Sequence, residues 1–217
     1  MKKTLLILIL TLISCSENKI DTVEIPLTSN SEEAVKLFSE EVFRPKEAYR
    51  TYNPVIDAAL KKCVELDPDF SLAQALIGSV GYRMKSEEAR EKIMIAFNNI
   101  ENVTEIEAAL INSIYENIIN GNVSKGESIL EDIVNKYPDY YYLKIYLGEY
   151  QNLVAQNPKK SERSWEEALK IDPNNSLAKL LLSQLHYTST SDFQLLSRDE
   201  IDMEKAINLI KEVEKAE

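Results

Sequence analysis

The residues able to do chemistry in this chain are few and widely spaced. Its 217 residues include two cysteines and one histidine. A zinc site needs four ligands, mostly nitrogen and sulfur; one histidine and two cysteines, with no Cys/His cluster, are too few to suggest one. No glycine-rich phosphate loop and no Ser/His/Asp spacing is present. The carboxylates fall on helical faces in i,i+4 register with lysines, the pattern of a solvated surface. The expectation is therefore a protein that is not an enzyme and that calls for no cofactor or metal. His186, alone on a helix, reads as a surface or groove residue. Cys63 reads as a small apolar core residue, a part free cysteine often plays. Net charge is −11, and −13 once Lys2 and Lys3 are removed with a leader. Such a balance argues against nucleic-acid binding, which draws its affinity from basic patches.

The positions of these residues are set by a repeat. ALKKCVELDPDFSLAQALIGSV, from Ala58 onward, returns around Pro138 and again around Pro173, and a copy without proline lies around Val103. The four anchors Pro68, Val103, Pro138 and Pro173 are 35 residues apart. Five residues beyond them stand Ala73, Ala108, Leu143 and Ala178; eight beyond, Leu76, Ile111, Tyr146 and Leu181. Ten beyond, each copy has a small residue: Gly78, Ser113, Gly148 and Ser183. Eight before stand Leu60, Ile95, Leu130 and Trp165. Apolar columns at these spacings predict paired amphipathic helices, and the small column lets the two helices approach closely. Helices are expected over 54–66, 71–84, 86–100, 105–120, 124–136, 140–154, 160–171 and 176–187. Before them comes one capped by Asn30 with Glu33, and after them one capped by Ser197 with Glu200. A hydrophobic share of 44% with 28% charged residues fits a folded body.

The Leu147-Gly148 pair, its counterpart Ile77-Gly78, and the Trp165…Ala168…Pro173 run resemble the tetratricopeptide repeat over about Ser31 to Val213. The resemblance implies an all-α fold: a right-handed superhelical solenoid of helix–turn–helix repeats, in four to five hairpins. In that family the first helices of successive repeats line a concave groove. Carried over residue by residue, the groove would include Tyr82 and Arg83, then Glu107, Leu110, Ile114 and Asn117. Tyr142, Ile145, Glu149 and Asn152 follow, and then Gln184 and Tyr187. Of these, Tyr82, Arg83, Asn117, Tyr142, Ile145, Glu149, Asn152, Gln184 and Tyr187 are the expected partner-binding residues. Apolar side chains mixed with amides and hydroxyls suit a peptide.

The chain starts with Lys2-Lys3 and a short apolar run, Thr4 to Ile13, the shape of a secretory signal. Leu12-Ile13-Ser14-Cys15 looks like a bacterial lipobox. That likeness implies a signal peptide over 1–14, and diacylglycerol and further acyl chains such as palmitate on Cys15. Residues 15–30 would be the lipidated cysteine and a flexible tether, with 31–217 the helical repeat domain. Ser16 after the cysteine, by resemblance to the enteric sorting rule, points to the outer membrane, on its periplasmic or surface face. The expected function is a membrane-anchored envelope lipoprotein that acts as a protein-interaction scaffold, with a protein or peptide partner in the cell envelope. The alternative is a glycan- or nutrient-binding accessory of an outer-membrane transporter, with Tyr140 and Tyr141 as a stacking platform. A basic, tyrosine-bearing insertion over 44–53 reads as a helix extension or a contact for a partner.

Overall fold

The computed structural model describes residues 25–43, 54–82, 87–188 and 196–215, the side chains of 80–82 and 188 excepted. The first helix, α1, spans Glu32–Phe38 and runs on as a π-helical turn, Ser39–Phe43. Then come α2 (Pro54–Leu66), α3 (Ser71–Tyr82), α4 (Glu87–Asn98), a short 3-10 turn (Ile100–Asn102) and α5 (Glu105–Ile118). The chain continues with α6 (Val123–Lys136), α7 (Tyr141–Leu153), α8 (Pro158–Ile171), α9 (Ser176–Thr188) and α10 (Met203–Glu214). There is no strand among the described residues. Each helix packs on the one before and the one after, most extensively within the pairs α3/α4, α5/α6, α7/α8 and α9/α10. The result is the all-α stack of tetratricopeptide-like hairpins that the 35-residue register implies, with α1/α2 as its first pair.

The register is visible in the backbone as well as in the side chains. Gly121 and Gln156, 35 apart, both adopt a left-handed conformation, with φ of 65° and 53°. The next residues, Asn122 and Asn157, cap α6 and α8 by accepting from Lys125 N and Lys160 N. Their own amides donate to the carbonyls of Glu116 and Gln151, each at 2.7 Å. Pro158 takes the first position of α8, where its missing amide removes no helical hydrogen bond.

Within each pair the small-residue column is where the helices meet. A Cβ added to Gly148 would lie 2.6 Å from Cδ1 of Trp165, and one on Gly78 would lie 2.5 Å from Cγ1 of Ile93. Trp165 is fully buried, and its indole Nε1 donates to the carbonyl oxygen of Ile145 at 3.2 Å. Two apolar clusters result. The larger runs from Ile25 to Tyr150, and the smaller gathers Ile145, Trp165, Ala168, Ala178, Leu181, Leu182, Leu185 and Leu196. Cys63 sits in the first with no exposed surface, and burial pushes its thiol up to about 11. That is the core role expected of it.

Four expectations change. Ser31, not Asn30, caps α1, its side chain accepting from Ala34 N. Ser197 and Glu200 close on each other as a turn: the carboxylate accepts from Ser197 N at 3.0 Å and pairs with Lys159. The last helix therefore starts at Met203, capped by Asp202. His186 is neither a surface nor a groove residue. It is 1% exposed; its Nδ1 accepts from Asp202 N at 3.2 Å, and its Nε2 lies 3.2 Å from Oε1 of Glu162. The ring thus ties α8, α9 and the start of α10 together. Finally, residues 25–30 are not free tether but are packed on the body, as described below. The 44–53 insertion lies outside the described residues.

Gly148→Ala should force α7 and α8 apart. Overpacking of this kind costs about 1–3 kcal/mol, read as a lower urea midpoint at unchanged m-value. An unchanged midpoint would mean that the helices can separate freely at this point.

Candidate functional site

Helices α3, α5, α7 and α9 are the first helices of their pairs and carry the residues expected to line a groove. Tyr142 is half-buried, its ring centroid 4.2 Å from that of Phe43 and 6.5 Å from that of Tyr146. Phe43 also stands edge-on to Phe38 at 4.7 Å, and Phe38 lies 4.9 Å from Phe70. The first hairpin therefore reaches across the stack and covers part of α7. Burial pushes the Tyr142 phenol well up, with a smaller contribution from the nearby Glu149 carboxylate.

The other expected groove residues separate into two groups. Asn117, Glu149 and Gln184 are half-buried, and Tyr187 is 64% exposed at the C-terminal end of α9. Ile145 and Asn152, by contrast, are 1% and 5% exposed. Ile145 faces Trp165 and the second core cluster, so neither residue offers a surface to a partner. The cause is the tight α7/α8 approach, which turns that side of α7 into core. Asn152 Oδ1 and Ser161 Oγ have no hydrogen-bond partner among the described residues. Tyr82 and Arg83 fall on side chains outside the described set, as do Cys15 and the signal segment.

Tyr140 and Tyr141 are both half-buried. Tyr140 packs edge-on against Tyr137, with centroids 5.9 Å apart, and both lean on the larger cluster. Tyr141 packs against the smaller one. No group of three or more His, Cys, Asp or Glu is placed to hold a metal among the described residues. No described helix is long and apolar enough to cross a membrane.

The densest polar construction lies elsewhere, where the N-terminal segment crosses two hairpins. Ile25 is 5% exposed, and Leu27 packs on the same core. Thr28 donates its amide to both carboxylate oxygens of Glu107 at 3.0 Å and its hydroxyl to Oε2 at 2.7 Å. Thr104 donates its hydroxyl to the carbonyl of Pro26 at 3.1 Å and its amide to Oγ1 of Thr28 at 3.2 Å. Ser29 Oγ and Asn30 N then donate to Oδ2 of Asp67 at 2.5 and 2.6 Å. Glu107 has no exposed surface and also closes the capping box of α5 with Thr104. It faces the strap, not the groove expected of it.

Sequence reasoning missed Thr28, Asp67, Thr104 and Glu107 as a set. Two signals pointed to parts of it: the Thr-x-x-Glu spacing at 104–107, and the Asp-Pro turn at 67–68. In the matching turn Asp172 Oδ1 accepts from Asn174 N, as Asp67 Oδ1 does from Asp69 N. Asp67 thus keeps a turn-closing role and adds the strap to it.

No protein-family model matches this chain, and no curated protein matches it. Among solved structures it is similar to the crystal structure of MamA, at 14% identity, over 85% of this chain and 94% of that one. The TM-score is 0.40, a likeness that assigns no role to any residue.

Burial alone would raise the Asp67 carboxyl. The Ser29 hydroxyl and the amides of Asn30 and Asp69 outweigh it and hold the group below its ordinary value. Its stabilising contribution is therefore present above the unfolded value of about 3.9 and lost as pH falls through the lower folded value. Asp67→Asn should lower the urea midpoint at pH 7, and the gap from the unaltered chain should narrow progressively as pH falls below about 3.9. A gap that does not narrow on acidification would show that the carboxylate charge is not its source.

Proposed function

We propose that this chain is a lipid-anchored envelope protein that serves as a scaffold, holding a protein partner through the inner helices of its hairpin stack. Tyr187 carries the reading: a large aromatic, 64% exposed, on the last inner helix. Tyrosine is enriched among the residues that dominate protein interfaces, because it offers a wide apolar face and a polar tip. Asn117, Glu149 and Gln184 add half-buried polar groups on the same helix series. Together they suit an extended peptide, whose side chains need apolar contact and whose backbone needs donors and acceptors. The glycan reading rested on Tyr140 and Tyr141, and both are engaged in packing.

The anchor in this proposal is Cys15, which directly follows the apolar run and Ser14. Acylation supplies membrane affinity at about 0.8 kcal/mol per buried methylene, so several chains hold where one does not. The outer membrane is the proposed address. An acidic body of net charge −13 after signal removal gains little from anionic head groups, which leaves the lipid as the attachment.

A photoreactive amino acid in place of Tyr187 or Asn117, activated in living cells, should capture the same envelope protein. The exposed outer-helix positions Asp132 and Lys170 should not capture it. Equal capture from both faces would overturn the groove assignment. Cys15→Ala should move the chain from the membrane to the soluble fraction, and continued membrane association would overturn the anchor.

A further inference from the structure

The strap sits on one particular edge of the stack. Turns α2–α3, α4–α5, α6–α7 and α8–α9, which hold Pro68, Val103, Pro138 and Pro173, lie together on that edge. Turns α5–α6 and α7–α8, which hold Gly121 and Gln156, lie on the other. Pro26 and Thr28 are bound at the α4–α5 turn through Thr104 and Glu107, and Ser29 and Asn30 at the α2–α3 turn through Asp67. Both clamping carboxylates are largely out of solvent, Glu107 with no exposed surface and Asp67 with 4%. Freeing the strap would take from Glu107 the amide and hydroxyl of Thr28, and from Asp67 the Ser29 hydroxyl and the Asn30 amide. Ile25, itself 5% exposed, is inserted in the core just ahead of the first clamp. The described body thus reaches residue 25, which is held beside the α4–α5 turn.

We propose that this strap biases which edge of the stack meets the membrane: the proline edge favours the bilayer and the Gly121 edge faces away. The inference rests on anchoring through Cys15. Ten residue steps separate Cys15 from Ile25, so the linking chain reaches at most about 36 Å whatever its conformation. Were the strap free, the link would run to Ser31, sixteen steps and about 58 Å. Helix α5 spans 14 residues, and at 1.5 Å per residue it sets the two edges ~21 Å apart. That difference is more than half of the shorter reach, so the proline edge is favoured at the bilayer; against the longer reach it falls to about a third, and the bias weakens. One consequence bears on the partner: Tyr187 ends α9 at the edge away from the membrane, because α9 starts at the proline edge. The partner would therefore approach from the aqueous side.

The test uses the full lipidated chain in bilayer discs of phosphatidylethanolamine and phosphatidylglycerol containing a nitroxide-headgroup lipid as quencher. Single fluorophores are attached at Glu101→Cys, on the proline edge, or at Ser124→Cys, on the far edge; both positions are exposed. Cys63 is buried and does not compete for label. With the edges ~21 Å apart, quenching at position 101 should exceed that at 124 by about twofold or more. Pairing Ile25→Ser with Thr28→Val, which alters only the strap, should bring the two signals toward parity and speed amide exchange at position 28 and at Asn30. Equal quenching in the unaltered, disc-bound chain would overturn the inference and leave the anchor standing. A chain that does not enter the discs at all would overturn the anchor and the inference with it.

Discussion

Everything in this fold depends on two helices being able to lie closer together than ordinary side chains allow. Gly148 admits the edge of the Trp165 ring and Gly78 admits Ile93, with no room for one further carbon. The contact is apolar, but it also contains a directed hydrogen bond, from the indole nitrogen to the Ile145 carbonyl. Loss of the close approach would cost dispersion contacts along both helices and leave a buried indole donor unmatched. The seating of α9 on the preceding pair follows from the same contact, because Ala178, Leu181 and Leu185 complete the cluster around Trp165. Packing within one hairpin thus sets the placement of the next.

Polar groups then fasten the layers, and they do so at repeating addresses with changing partners. Glu116 in α5 accepts from Lys125 and Asn120, which hold its carboxyl below the ordinary value. Its counterpart 35 residues on is Gln151, which pairs with Ser164 and Glu127. Lys160, the counterpart of Lys125, turns instead to Glu127 and Glu131. The lysine remains paired although its acid has become an amide. Surface pairs such as Lys62 with Glu65 contribute little by comparison, since water screens them and two long side chains must be ordered. The cluster of His186, Glu162, Glu166 and Lys205 is different: one member is fully buried and three helices meet on it.

The hairpin stack was legible because its physics is periodic. A small residue, an apolar column and a turn residue recurring every 35 positions are enough to place α2 to α9 to within a few residues. Even the turns obeyed it, as Gly121 and Gln156 show. The strap was not legible because nothing in it repeats. Pro26 to Asn30 is short, polar and without helical spacing, so composition alone marks it as linker. Its fixing points, Asp67 and Glu107, look like ordinary helix-end acids until the chain has folded over them. The burial of two expected groove residues was missed for a related reason. Periodicity tells which face of α7 turns inward, but not that Ile145 and Asn152 on that face are sealed by neighbouring helices.

The strap also orders events in time. Thr28 and Glu107 are 79 residues apart, so the strap finds its binding site only after α2 to α5 exist. Contacts of such separation close late, because the loop entropy is paid before any reward. Until then Ile25 and Leu27 are exposed apolar residues next to a polar run. The strap, although it precedes every described helix, is thus among the last parts to settle, and its arrival reports that the first half of the stack has been built correctly.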